Sequence, residues 1–163
     1  MLEKAFKEIS EYLRTVNYGT LKQSADINMS GDNVKDADII CQNIIIKHIK
    51  QSSTNFVGYI SEETKTYVPI NRKYLKTKTY ASTGDIEYII AFDPLDGSLN
   101  MSSNNNTGTI YAIYEYDPIL CTIRNIIKAG YCLYGAATIL VETHYDNTVM
   151  KQLDEKGDFI FCN

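Results

Sequence analysis

An uninterrupted apolar run, Tyr88–Phe92, is followed directly by the acidic turn Asp93–Ser98. Such a run predicts a buried strand, because strands that are covered on both faces have continuous apolar sequences. Pro94 fixes φ and has no N–H, so we expect the strand to stop at Asp93-Pro94. The segment therefore predicts a buried β-strand whose end presents carboxylates at the edge of a sheet.

Two amphipathic helices are predicted upstream of that strand. The first covers residues 2–14 and the second residues 35–50, where Asp36 and Asp38 lie in the first turn and suit the helix dipole. Between them, residues 23–33 are small and polar and predict a loop. The apolar stripe of the first helix consists of Leu2, Phe6, Ile9 and Leu13.

Short β-branched and aromatic runs predict several further strands. Residues 97–107 favour a loop or a weak helix start, and residues 130–143 fit either a strand or a buried helix. The predicted strands cover residues 56–60, 66–70, 109–116 and 121–128, followed by a hairpin that joins 149–153 to 159–162.

Length and composition exclude several classes of protein. A chain of 163 residues forms about one domain, and its net charge of −4 disfavours a broad nucleic-acid surface. The sequence contains no window of 18 apolar residues, so no membrane span is predicted, and its first residues do not resemble a secretory signal. The 4 cysteines show no CxxC pair or metal-type spacing, which favours reduced thiols in a cytoplasmic protein.

Acidic residues gather where predicted elements begin or end. Two carboxylates three residues apart, Asp93 and Asp96, can point to one spot across a tight turn. Gly97 permits close approach of a ligand to the backbone, and Ser98 can cap a following helix whose N–H groups bind an anion. The three clusters are Asp32 with Asp36 and Asp38, Glu62-Glu63, and Asp93 with Asp96.

Hard oxygen ligands beside an anion site suit a magnesium–phosphate pair. At Glu62-Glu63, one carboxylate can bridge metal ions while its neighbour reaches a water molecule. The plain alternative is that each cluster consists of solvated loop acids. A calcium loop of the EF-hand type fits poorly, because the ligand at every second position and the distal Glu are missing.

Five segments of the chain, in order, resemble class 1 fructose-1,6-bisphosphatase. The turn motif D-P-x-D-G-[ST] also occurs in the wider superfamily of Mg²⁺-dependent, Li⁺-sensitive phosphatases, whereas the first and last segments are specific to the bisphosphatase branch. The segments are Gly31–Asp38, Ser61–Glu63, Phe92–Asn100, Gly108–Tyr111 and Ala129–Gly135.

The resemblance implies a role for each matching residue and two or three Mg²⁺ ions as cofactors. Glu62, Asp93, Asp96 and the carbonyl of Leu95 would be metal ligands, and Asp32 would serve a third metal or stabilise the site loop. Asp38 and Glu63 would orient and deprotonate the attacking water. The transferred phosphate of a sugar bisphosphate would be held by Asp96, Gly97 and Ser98.

The resemblance also implies an α+β domain over residues 1–163, with a mixed, mostly antiparallel sheet covered on one face by two helices. It implies a cytoplasmic hydrolase of carbohydrate metabolism and gluconeogenesis, acting on a phosphorylated sugar, with a possible homo-oligomer and no nucleic-acid or membrane partner. The family's second, sugar-binding domain is expected to be absent. A truncated, non-catalytic relative that binds metal or phosphate, or pairs with family subunits, stays open, as does another sugar phosphate as substrate.

Departures from the family pattern bear on regulation and on phosphate binding. Glu87 stands where regulated members have a lysine that contacts AMP, so we expect no AMP inhibition. Leu99 replaces a serine that is usual in the family, which removes one phosphate donor.

Overall fold

The computed structural model describes residues 1–17, 23–27, 33–64, 66–70 and 86–162, with the backbone alone for 23–27 and 33–35. Two α-helices, ten strands and one 3-10 helix, Ser98–Ser103, lie in these ranges. The helices are α1, Leu2–Thr15, and α2, Asp36–Lys50. The strands are β1 Gln23–Ile27, β2 Asn33–Lys35, β3 Phe56–Ser61, β4 Val68–Pro69, β5 Glu87–Asp96, β6 Thr107–Asp117, β7 Thr122–Tyr134, β8 Thr138–His144, β9 Asn147–Leu153 and β10 Phe159–Phe161.

Eight of the described strands form one sheet in the order β10-β9-β8-β7-β6-β5-β3-β4. Every neighbouring pair in it is antiparallel except β3 and β5, which run parallel. The predicted α+β class with a mixed, mostly antiparallel sheet is therefore confirmed, and so is the hairpin of β9 and β10.

The core lies between the sheet and the two helices. The predicted apolar stripe of α1 is buried, and the Phe6 ring lies 5.5 Å from that of Tyr111 on β6. From α2, Ile45 packs into the same cluster as Ile90 and Phe92 of β5. Apolar side chains at helical spacing thus place both helices on one face of the sheet. No helix in the described ranges is long and apolar enough to cross a membrane.

The opposite face of the sheet is apolar and open among the described residues. Strand partners in register form one row that runs from Asp93 through Ile110, Tyr131 and Val141 to Met150. Ile110, Tyr131 and Met150 are each more than a third exposed. An antiparallel sheet with one solvated face normally alternates apolar with polar residues, so this row is typical of a surface that another layer of protein covers.

The expectation that β5 stops at Asp93-Pro94 is wrong, because the strand continues to Asp96. The pairing with β6 shifts in register between Asp93 and Asp96. A strand tolerates proline at such an irregularity, where its missing N–H breaks no ladder hydrogen bond.

Two other expectations are also wrong. Residues 23–27 form a strand rather than a loop, since their backbone pairs with β2 and this pairing outweighs their low strand propensity. The helix alternative for residues 130–143 fails because β7 extends to Tyr134, turns, and continues as β8.

Candidate active site

The parallel pairing of β3 with β5 brings two acidic segments to the same edge of the sheet. Ser61 is in register with Phe92, and the N–H of Glu62 donates to the carbonyl of Phe92 at 3.1 Å. Parallel strands end on the same side, so the residues that follow them meet. Glu62 and Asp93 are therefore neighbours, although 31 positions separate their numbers in the sequence.

The carboxyl groups of Glu62 and Asp93 contact each other through a hydrogen bond. Burial and this contact raise the pKa of Asp93 to about 8, against the lowering effect of the Leu95 N–H. That N–H donates to Asp93 Oδ1 at 3.0 Å, while the charge of Asp96 raises the pKa further. Two carboxyl groups this close hold a proton between them or require a cation.

The turn after β5 differs from the expectation in one respect. Gly97 has the left-handed φ of 73° and is the N-cap of the 3-10 helix, so Ser98 is the first residue of that helix and not its cap. The positive φ explains the glycine, and its carbonyl accepts from the N–H of Asn100 at 2.8 Å. Asp96 is exposed at the end of β5, opposite Gly108 of β6.

The remaining predicted site residues are placed as follows. Asp38 is buried in the first turn of α2, and Glu63 is half-buried in the turn after β3. Leu95 is buried between the two acids of the β5 turn, and Asp32 lies outside the described residues. Within the described ranges, no three acidic, His or Cys side chains converge closely enough to hold one ion as they stand.

Sequence reasoning missed the hydroxyl groups that fix both acidic turns. After β3, the hydroxyl of Thr64 accepts from the N–H of Ser61 at 3.1 Å and donates to the Ser61 carbonyl at 3.0 Å. Behind β5, Thr109 Oγ1 donates to the carbonyl of Pro94 at 2.9 Å and lies 2.8 Å from the hydroxyl of Tyr134. Neither threonine belongs to a local sequence pattern that would indicate this role.

Thr109→Val is expected to lower the free energy of unfolding by roughly 1–3 kcal/mol, because it leaves the buried Pro94 carbonyl and Tyr134 hydroxyl without their partner. Valine keeps the shape and the strand propensity of threonine. Urea unfolding measures the change, with Thr148→Val, at an exposed position, as the matched control. An equal effect of both substitutions would contradict the role given to Thr109.

An open groove of about 600 Å³ extends from the acidic pair along the uncovered face of the sheet. Ser61, Glu62 and Asp93 line one part of it, and apolar side chains such as Ile110 and Val141 line the rest. The groove has space for a small organic molecule with its polar end at the carboxyl groups.

Comparison with known proteins identifies related sequences and a related fold. The family model "Fructose-1-6-bisphosphatase, N-terminal domain" matches residues 1–163. The chain is 35% identical to fructose-1,6-bisphosphatase isozyme 2 of Rattus norvegicus over 96% of its own length and 46% of the relative's. It is 33% identical to the class 1 fructose-1,6-bisphosphatase of Neisseria meningitidis over 87% of its own length and 42% of the relative's.

A solved structure, Leishmania major fructose-1,6-bisphosphatase in its holo form, superposes with a TM-score of 0.79 at 27% identity. The superposition covers 99% of this chain and 51% of that one. The chain thus spans about half the length of the relatives that it matches. It belongs to the fructose-1,6-bisphosphatase family and corresponds to the N-terminal domain of that family.

Proposed function

We propose that the chain acts as a Mg²⁺-dependent phosphatase of the fructose-1,6-bisphosphatase type, which hydrolyses the 1-phosphate of a sugar bisphosphate. The observation that carries the proposal is the contact between the carboxyl groups of Glu62 and Asp93 at one end of an open groove. The similarity to fructose-1,6-bisphosphatases supports the same reaction class. We also propose a cytoplasmic location, which the four free cysteines of the described chain fit.

The donor set fits Mg²⁺, because it consists of oxygen atoms alone. Glu62 and Asp93 are two carboxyl groups in contact, and a divalent cation between them would relieve the repulsion of their charged forms. The same repulsion, together with burial, raises the pKa of Asp93 to about 8. Asp96 and the Leu95 carbonyl would complete the ligand set, and Asp32 would serve a further ion. When bound, Mg²⁺ supplies positive charge that lowers the pKa of water and stabilises the developing charge on the phosphoryl group.

The chain's own residues would position the water and the phosphate. Asp38 is buried, and Oε2 of the half-buried Glu63 is also shielded from solvent, so both carboxylates would be suited to orient and deprotonate a nucleophilic water. Gly97 has a left-handed backbone and no side chain, and its main chain would be the part of the turn that a phosphate oxygen approaches. The Ser98 hydroxyl, at the start of the 3-10 helix, would donate to the same phosphate.

Phosphate release from a panel of sugar bisphosphates and inositol phosphates, with Mg²⁺ and with EDTA, tests this proposal. We expect release from fructose 1,6-bisphosphate that depends on Mg²⁺ and falls at least about a hundredfold when the metal is removed, since several kcal/mol of charge stabilisation are lost. Release from another member of the panel alone would keep the chemistry but change the substrate. Equal release with EDTA would contradict the metal dependence.

The uncovered apolar face favours a second candidate: a non-catalytic relative that pairs with family subunits or binds metal and phosphate without turnover. Ile110, Tyr131 and Met150 are exposed in one row, and such a surface favours association with another polypeptide. Analytical ultracentrifugation of the purified chain distinguishes the two. Self-association or capture of a family subunit without phosphate release would support the second candidate, and a monomer with Mg²⁺-dependent release would refute it.

A further inference from the structure

A second cavity, separate from the groove at Asp93, lies beside the last turn of α1. It has a volume of about 500 Å³, within the range of small-molecule sites. Its walls come from α1, from the segment after the 3-10 helix and from the β7–β8 turn, and it shares no described lining residue with the groove. We call it the α1 cavity; its polar lining includes Arg14, Asn104, Asn105, Asn106, Thr107 and Thr138.

The charge of the α1 cavity is positive, although the chain as a whole carries −4. Arg14 is its charged lining residue, and no described acidic side chain lines it. The guanidinium donates one long hydrogen bond, 3.4 Å, to Thr138 Oγ1 and forms no ion pair with a described carboxylate. The Arg14 guanidinium therefore has further N–H groups that can donate hydrogen bonds to an oxyanion.

Two carbonyl groups near the end of α1 accept hydrogen bonds from the residues that close the helix. The Thr15 hydroxyl donates to the carbonyls of Glu11 and Tyr12 at 3.1 Å each, and the N–H of Val16 donates to Tyr12 at 3.0 Å. Because these groups already have donors, the negative end of the helix dipole is partly compensated at this wall.

Three consecutive exposed asparagines, Asn104–Asn106, line the α1 cavity together with the exposed Arg14. Their backbone is held by hydrogen bonds, from the Asn104 N–H to Met101 at 3.1 Å and from the Asn105 N–H to Asn100 at 3.1 Å. Asn106 packs against Gly135: its Oδ1 lies 2.4 Å from the point where a Cβ of residue 135 would be, so a larger residue there would displace the Asn106 side chain. The described chain offers no hydrogen bond to the three side-chain amides, which therefore remain available to a ligand.

We propose that the α1 cavity binds the phosphoryl group of a small organic phosphate, at a site distinct from the proposed catalytic one. The Arg14 guanidinium and the amide groups of Asn104–Asn106 would donate to the oxyanion, while Thr138, which already bonds Ser10 Oγ at 2.6 Å, holds the guanidinium in place. The volume exceeds what bare phosphate fills and leaves space for an attached polyol.

Titration of the ¹⁵N-labelled full chain with inorganic phosphate in EDTA tests this site, because a metal-dependent site binds phosphate poorly without its cation. We expect shifts of the Asn104–Asn106 side-chain amides and of the Gly135 N–H. Arg14→Gln should weaken binding by about tenfold, the effect of losing one charge-assisted hydrogen bond. Lys156→Gln removes the same charge at the exposed β9–β10 turn and should change affinity less than about twofold.

A second variant and a second anion make the titration specific for this cavity and for phosphate. Asn105→Asp keeps the side-chain shape and should weaken binding by about tenfold through like-charge repulsion. Asp93→Asn should leave this binding unchanged, so failure here and failure of the proposed catalysis are separate results. Shifts confined to Gly97 and Ser98, equal affinity of wild type and Arg14→Gln, or equally tight binding of acetate would each overturn the proposal.

Discussion

Asp93→Asn is expected to reduce Mg²⁺-dependent phosphate release by at least about a hundredfold, since an amide would replace the carboxylate that contacts Glu62 and that we propose as a metal ligand. The substitution also removes the repulsion between the two carboxyl groups. We therefore expect the metal-free variant to be as stable as the wild type or more stable, so that lost activity does not result from unfolding. Phosphate release and thermal melting with and without Mg²⁺ provide the two readouts.

The matched control is Asp146→Asn, at an exposed position in the β8–β9 turn, which should leave both readouts unchanged. The melting readout applies even if the isolated chain turns over slowly. Mg²⁺ should raise the melting temperature of the wild type and of the control but not that of Asp93→Asn. Unchanged turnover, or an unchanged response to Mg²⁺, in Asp93→Asn would refute the role given to this carboxylate.

Phe6→Ala is expected to lower the free energy of unfolding by about 3–5 kcal/mol, the usual cost of removing a buried phenylalanine and leaving a cavity. The Phe6 side chain is fully buried and packs on Tyr111, so it connects α1 to the centre of the sheet. Urea unfolding followed by circular dichroism measures the change.

The same substitution at the opposite end of the chain serves as the control. Phe161 is 67% exposed, and its ring lies 5.1 Å below the Lys151 ammonium, so Phe161→Ala should cost less than about 1 kcal/mol. Comparable losses at the two positions would show that the helix-covered face is not the main core.

Local sequence patterns were sufficient where one face of an element is buried. The stripe of Leu2, Phe6, Ile9 and Leu13 predicted α1 within one residue of its end. Local patterns gave the wrong element where pairing with a distant strand decides whether a segment is a strand. Pro94 lies inside β5 because the register with β6 shifts there, and Gln23–Ile27 is a strand because β2 pairs with it.

In the candidate site, too, the sequence identified some residues, and only the fold reveals the others. The resemblance to the family implied that Glu62 and Asp93 share metal ions, and the parallel pairing of their strands places their carboxyl groups in contact. The supporting hydroxyl of Thr109 reaches Pro94 only through the fold, so its position in the sequence gives no indication of this role. The roles assigned to Asp38 and Glu63 stay predictions, as does that of Asp32.

Side chains alternate between the two faces of the sheet along β5, and this alternation decides which residues line the groove. Along β5, Phe92 packs under the helices while Asp93 faces the groove, and successive residues of a strand point to opposite sides. Deletion of one residue from β5 ahead of Asp93 would exchange these two environments, directing a carboxylate into the apolar interior and a phenyl ring toward the groove. Strand alignment, more than loop shape, therefore decides which side chain lines the groove.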